Sequence, residues 1–420
     1  MVLSAGADRA AVNVYFHTFG CRANQYDTEV VRQAFTEQGV VVVDDPAIAD
    51  LTVINSCTVT HESEAKLRRL VRHVSRTGGT ETIVMGCAAA LDDGAIAALP
   101  SVRAVVANAD PVTVLRAAGL TAPVRVGAQQ AAPLHDAAPL HRHRGLLKIQ
   151  DGCDEHCTFC ATTLARGANR SRSVAALVTE ARALAEHHAE IVLTGVHIGT
   201  FGQDGSGEAT LGTLLEALIE AVPGARFRLS SVEATEVDDT LAHLLIEAPR
   251  RVAAHLHAPL QSGSNRVLKR MGRHWYTAES YRARIEWLAE RLPVFGLGAD
   301  VIAGFPGETD EDHDATLTLL HALPFTYLHV FPFSVRPDAA AARLPGQLGP
   351  AVITARSREL RGLGEAKARA YRAARRGQRA DGVVSGRAGG RVDVLTEDYL
   401  SVYLPSDRWD GRPRFDLVVD

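Results

Sequence analysis

Apolar positions fall in short β-rich runs separated by longer polar stretches of helical period. In the first 120 residues VNVYFHTF (13–20), LTVINS (51–56), TIVMG (82–86) and VRAVVAN (102–108) read as strands. Stretches near 24–38, 61–76, 88–99 and 111–118 read as helices. Strands alternating with helices predict an α/β fold, a parallel sheet with right-handed crossovers. The alternation lapses over 121–144, TAPVRVGAQQAAPLHDAAPLHRHR, which has no clean period and reads as a linker. It resumes with GLLKIQ (145–150), EIVLTG (190–195), RFRLSS (226–231), AAHLHAP (253–259), LGADVIAGF (297–305) and YLHVFPF (327–333). Helical stretches near 173–189, 210–222, 237–248, 264–271, 277–291 and 309–322 lie between them. Six such units up to residue 350 predict a partial (β/α)6 barrel, with its polar motifs just after the strands. Residues 351–376 read as one helix, 351–379 as a basic helical connector, and 380–420 as a small β domain with Gly-containing turns.

Composition narrows the class. Of 420 residues 46% are apolar and 22% charged, which excludes wholesale disorder. No apolar run approaches the length of a membrane span, and the opening MVLSAGADRAA lacks a signal-peptide core, so a cytoplasmic protein is expected. A net charge of −4 argues against coating nucleic acid by bulk charge but leaves room for local basic surfaces. Two are visible: Arg166, Arg170 and Arg172, and the stretch 356–379, with nine Arg or Lys against two Glu. The tail from 380 carries eight acids against five arginines, leaving Arg387 and Arg391 as its candidate RNA contacts.

Six cysteines are too few to build a disulfide fold of this length. Cys153, Cys157 and Cys160 form a Cys-x3-Cys-x2-Cys group in QDGCDEHCTFC. Cys21, Cys57 and Cys87 each follow a strand of the first sheet, so its parallel topology should bring them to one edge. A structural zinc ion normally closes four ligands. The tight group offers three thiolates plus His156, awkwardly adjacent to Cys157. Three thiolates on a 4Fe–4S cluster would instead leave one iron open for a substrate or cofactor. His135, His141 and His143 of the linker read as solvated side chains.

Following the first barrel strand, Cys153-x3-Cys157-x2-Cys160 resembles the signature of radical S-adenosylmethionine enzymes. The stretches HTFGCRANQYDTE, NSCTVT, MGCA and QDGCDEHCTFCATTLARGANRSRS resemble the methylthiotransferases among them, as do EIVLTGVHIGTFG, RFRLSSVEATEV, HLHAPLQSGSNRVLKRMGR and DVIAGFPGET. The similarity is strongest to the bacterial group acting on N6-threonylcarbamoyladenosine of tRNA. It implies a cluster domain over 1–120, a radical barrel over 145–350 and a C-terminal module over 380–420 resembling a TRAM domain. It implies two 4Fe–4S clusters, on Cys21, Cys57 and Cys87 and on Cys153, Cys157 and Cys160, each with one open iron. S-adenosyl-L-methionine would meet Thr194, Gly195, Ser231, Glu233, Gln261, Ser262 and Gly304, with Gly263 and Gly307 nearby. The bland reading of these positions is turns and loop polarity.

The implied reaction adds a methylthio group to carbon 2 of the adenosine at tRNA position 37, beside the anticodon. Implied partners are the tRNA anticodon stem-loop, a flavodoxin- or ferredoxin-like electron donor and a sulfur source, with no membrane. Isopentenyladenosine in tRNA or an aspartate of a ribosomal protein is the alternative substrate, and a zinc-stabilised RNA-binding protein is the non-enzymatic alternative. The chain departs from the common family pattern at Leu164, where proline is frequent, and at Ala88, where tyrosine is. Neither change removes a thiol.

Overall fold

The computed structural model describes residues 12–58, 61–77, 80–120, 144–205, 207 and 209–420. The expected linker, with His135, His141 and His143, lies outside them apart from Arg144. The chain forms two compact units that interleave in sequence. The first takes in the described residues up to 120 together with Asp151–Glu155 and Cys160–Asn169; the second takes in the remainder.

The first unit is a five-stranded, wholly parallel sheet. Its strands are β1 (Asn13–Thr18), β2 (Val41–Val43), β3 (Leu51–Ser56), β4 (Glu81–Gly86) and β5 (Val102–Val106), in the order β2-β1-β3-β4-β5. Apolar side chains leave both faces, so the central strands are apolar almost throughout. Val53, Ile83 and Met85 pack with Val31 and Phe35 of helix α1 (Arg22–Thr36). Ile54 and Val84 pack on the other face with Leu67 and Val71 of α2 (His61–Thr77).

Two local expectations fail here. The short edge strand β2 is absent from the sequence reading, because three residues between Gly39 and Asp44 carry too little periodicity. The helix expected over 88–99 stops after α3 (Cys87–Ala90). Asp92 accepts from the backbone nitrogens of Ile96 at 2.8 Å and Ala97 at 3.2 Å, and Gly94 has φ +100°. That bonding offers the backbone an alternative to the helical ladder.

In the second unit six parallel strands form two arcs. One contains β6 (Arg144–Lys148), β7 (Glu190–Thr194) and β8 (Arg226–Leu229); the other β9 (His255–His257), β10 (Gly296–Ala303) and β11 (Tyr327–Pro332). A parallel bridge between Ser231 and His257 joins the arcs. The helix Pro350–Arg375 leads to a four-stranded antiparallel sheet built from 379–388, 391–396, 401–405 and 414–418. No helix among the described residues is long and apolar enough to cross a membrane.

A buried ionic cluster ties the start of the barrel strands to this last sheet. Glu190, fully buried, accepts from Arg144 at 2.7 Å, Arg226 at 2.7 Å and Arg228 at 3.0 Å. Arg226 also donates to the Asp381 carbonyl at 2.6 Å and Arg228 to that of Thr396 at 2.8 Å. Burial alone would raise the Glu190 carboxyl, but the three guanidinium groups hold it well below the usual carboxylate range.

Three cations of the basic helix are spent in the same way. Arg356 pairs with Glu308 and Asp310, Lys367 donates to the carbonyls of His321 and Leu323, and Arg375 pairs with Asp398 at 2.7 Å. Those three bind the protein itself, while Arg358, Arg361, Arg369, Arg376 and Arg379 of the same stretch are exposed.

Glu190→Gln leaves buried arginines uncompensated and should destabilise the second unit by about 3–5 kcal/mol, read from denaturant unfolding at neutral pH. The Glu190 contribution is complete above the unfolded carboxyl pKa of about 4.3 and is lost as pH falls through the lower folded value. The variant should therefore show a flatter loss of stability on the acid side.

Candidate functional site

Strands of a parallel sheet all end on one edge, and in the order β2-β1-β3-β4-β5 the chain reverses direction of winding between β1 and β3. Cys21 follows β1, Cys57 follows β3 and Cys87 opens α3 directly after β4. The cysteines meet there. The sulfurs of Cys21 and Cys87 each lie 3.8 Å from Asn24 Oδ1. A Cβ on Gly20 would fall 2.9 Å from the Cys57 sulfur and 3.0 Å from Asn24 Nδ2. Asn24 is held in place by donating to the carbonyls of Phe19 and Ser56, both at 2.9 Å. Gly86 sets the approach of Cys87: its φ is +91°, and a Cβ there would fall 2.1 Å from Asn55 Oδ1.

Beside these thiols lies Arg166, from the helix Thr162–Arg166. The loop carrying it closes through Cys153 N to Gly167 O at 3.1 Å and Asn169 N to Asp154 Oδ1 at 3.0 Å. Its guanidinium donates to Cys87 Sγ at 3.2 Å, Asn24 Oδ1 at 2.6 Å, Asp27 Oδ2 at 2.9 Å and Asp151 Oδ1 at 2.9 Å. Burial pushes the Cys87 thiol up to about 11, and the Arg166 charge opposes that rise. Arg166 is thus consumed inside the first unit. Arg172 pairs with Glu180 at 2.6 Å. Of the three arginines expected at an RNA surface, only Arg170 has an exposed side chain.

Of the tight cysteine group, Cys153 and Cys160 belong to the first unit and Cys157 to the second. In the second unit Arg273 donates to Cys157 Sγ at 3.5 Å, to Tyr276 Oη at 2.9 Å and to Glu233. Glu233 also accepts from Trp275 Nε1. Burial raises the Glu233 carboxyl, with Arg273 pulling against it. His197 Nε2 lies 2.6 Å from Glu236 and 4.0 Å from Glu233.

The other anticipated cofactor residues also lie at or just beyond the ends of barrel strands. Thr194 is buried at the end of β7. A Cβ on Gly195 would meet the Gln150 carbonyl at 2.7 Å, and Gln150 Oε1 accepts from Val196 N and His197 N. Ser231 is exposed after β8. Gln261 has φ +64° and bridges to Val301. Ser262 is buried against Thr316 Oγ1 at 3.3 Å and accepts from Ser264 N, so its hydroxyl serves the loop. Gly304 has φ +76°, and a Cβ there would strike Ile353 of the long helix at 2.6 Å. Its glycine is accounted for by the turn and the helix packed on it. Asn24, Asp27, Gln150 and Arg273 had no role in the sequence reading, although all four lie within or beside the motif stretches. A lone polar residue in a motif gives no sign of which neighbour it will meet.

Comparison with known proteins adds the identity. Residues 13–107 match the Uncharacterized protein family UPF0004, and residues 147–320 match the Radical SAM superfamily. The Threonylcarbamoyladenosine tRNA methylthiotransferase MtaB of Bacillus subtilis (strain 168) is 38% identical over 370 residues, covering 85% of this chain and 81% of that one. The chain belongs to the radical SAM tRNA methylthiotransferases. A tRNA-2-methylthio-N(6)-dimethylallyladenosine synthase of Zymomonas mobilis (strain ATCC 31821 / ZM4 / CP4) is 32% identical, covering 83% and 80% of the two chains. In fold the chain resembles the radical S-adenosylmethionine methyltransferase TsrM of Kitasatospora setae, with a TM-score of 0.57 at 15% identity and 77% of each chain covered.

The donor set fits the cofactors of this family. Iron–sulfur clusters are held by thiolates, and Cys21, Cys57 and Cys87 offer three sulfurs around one buried amide beside a cation that favours the deprotonated ligand. Gly86→Ala should disturb this arrangement first, since its φ is closed to an L side chain and its Cβ direction is filled by Asn55. The expected outcome is loss of one cluster's equivalent of iron and sulfide after anaerobic reconstitution, with the absorption of the other cluster retained.

Proposed function

We infer that this methylthiotransferase acts on N6-threonylcarbamoyladenosine at position 37 of tRNA and converts it to the 2-methylthio derivative. The observation that carries this reading is the convergence of Cys21, Cys57 and Cys87 on Asn24, in a chain that also bears Cys153-x3-Cys157-x2-Cys160. A reaction that both generates a radical and delivers sulfur calls for two clusters. When bound, the clusters and S-adenosyl-L-methionine supply the radical that removes hydrogen from carbon 2 of adenine and the methylthio group that replaces it.

The chain's own residues bind and orient. Cys153, Cys157 and Cys160 would hold the cluster that meets S-adenosyl-L-methionine, with Arg273 beside Cys157 as a fixed positive charge. Thr194, Gly195, Ser231, Glu233 and Gln261, at the ends of barrel strands, would line the S-adenosyl-L-methionine site. There Ser262 and Gly304 act through loop shape, as their side-chain positions are already taken. Glu233, clamped by Arg273 and Trp275, presents a carboxylate whose position is set before any ligand arrives. No side-chain base is needed for an aromatic C–H, so positioning and exclusion of water are what the protein contributes.

For the anticodon stem-loop, the C-terminal sheet offers Arg391 over the Tyr403 ring at 4.0 Å and Arg387 over the Trp409 ring at 4.3 Å. Such cation–aromatic pairs suit phosphates and unstacked bases. The similarity to the Zymomonas synthase favours a second reading, in which isopentenyladenosine is the base modified.

Mass spectrometry of tRNA nucleosides from a deletion strain separates these. The leading reading expects 2-methylthio-N6-threonylcarbamoyladenosine to vanish and its unthiolated precursor to accumulate. Loss of only the isopentenyl derivative would replace it with the second reading. In vitro, Cys157→Ala should abolish 5′-deoxyadenosine formation, whereas Cys57→Ala should retain some and yield no methylthiolated tRNA. Wild-type product from either variant contradicts the two-cluster assignment.

A further inference from the structure

Arg166 stands six residues after the second cysteine motif, yet its guanidinium bonds Cys87, Asn24 and Asp27 of the first cysteine site as well as Asp151 beside its own motif. We propose that Arg166 is a positioning residue for the cluster on Cys21, Cys57 and Cys87. It donates to the Cys87 sulfur and supplies a permanent positive charge that sets that cluster's reduction potential. The inference rests on the two-cluster reading and specifies which residue governs one of the two.

The geometry excludes the commoner roles of an arginine after such a motif. Its side chain is only 10% exposed, and two carboxylates, Asp27 and Asp151, already bracket it, so it is not available to an RNA phosphate. All three guanidinium nitrogens are used in different directions: Nε on Cys87, Nη2 on Asn24 and Asp27, and Nη1 on Asp151. A planar fork can do this and an ammonium cannot. Asn24 accepts from Arg166 through the same oxygen that both Cys21 and Cys87 approach, so the cation is oriented by a residue that already touches the thiols.

Hydrogen bonds to ligating sulfur and the local net charge are among the factors that set an iron–sulfur potential. Reduction adds an electron to a group already carrying thiolate charge, so a nearby cation stabilises the reduced form. Arg166 is itself buried, and there that effect is stronger than at a surface. Neutralising Arg166 should lower the potential; neutralising Asp27 should raise it. Tethering the helix to the sheet is the competing role, and it gives no reason for the potential to follow charge.

The test uses the full chain with Cys153, Cys157 and Cys160 changed to Ala, so that only the first cluster forms, and reads its midpoint by redox titration followed by electron paramagnetic resonance. Arg166→Met is expected to shift the midpoint negative, Arg166→Lys to restore most of that shift, and Asp27→Asn to shift it positive. Equal midpoints for the parent, Arg166→Met and Asp27→Asn would overturn the proposal, as would lower iron content at an unchanged midpoint. Should Arg166→Met fail to assemble, Asp27→Asn decides alone: a positive shift supports the proposal and an unchanged midpoint overturns it. A parent that binds no iron would remove the two-cluster reading itself, and would do so before any change at Arg166.

Discussion

A parallel sheet delivers every strand end to the same edge. That constraint organises the chemistry of this protein. Cys21, Cys57 and Cys87 are spread over 67 positions of sequence, 21 to 87, yet the crossovers between parallel strands return the chain to one edge each time. The edge is also where winding reverses, so α1 and α2 pack on opposite faces and leave the strand ends open between them. The barrel strands obey the same rule, which is why Thr194, Ser231, Gln261 and Gly304 all fall at or beyond their C-terminal ends.

Charge is divided between the two ends of the barrel strands. At the starting end Glu190, Arg144, Arg226 and Arg228 form a closed ionic cluster, and its hydrogen bonds continue into the antiparallel sheet. Such a cluster imposes geometry more than net stability, because desolvation offsets much of its attraction. At the finishing end Arg273 bonds both Glu233 and the Cys157 sulfur. In the first unit Arg166 plays an analogous part between Asp27, Asp151 and Cys87. In both places an arginine stands against a cysteine with a carboxylate behind it, and at Cys87 its charge opposes the rise that burial imposes on the thiol.

Most strands were legible because their apolar runs are long enough to show a period: LTVINS is a strand over the full range expected. Helix ends and short edges were less so. The three residues of β2 are too few to register, and the helix after Cys87 is cut short by Asp92, whose bonding depends on a local turn. The basic stretch 356–379 shows a deeper limit. A run of arginines looks alike whether it faces RNA or its own protein, and here Arg356 and Arg375 find acidic partners from other segments.

Residue order alone was enough to establish the alternation of strand and helix, the six thiols and their division into three and three. Those facts depend on local periodicity and on covalent spacing. Which side chains stand beside the thiols depends on folding. Asn24, Asp27 and Arg166 come from positions as far apart as 24 and 166, and only a folded loop places that guanidinium on Cys87. Contacts at such separation leave no periodic trace in a single chain, so the arginine that reads as an RNA contact in sequence becomes, in three dimensions, a neighbour of the first three cysteines.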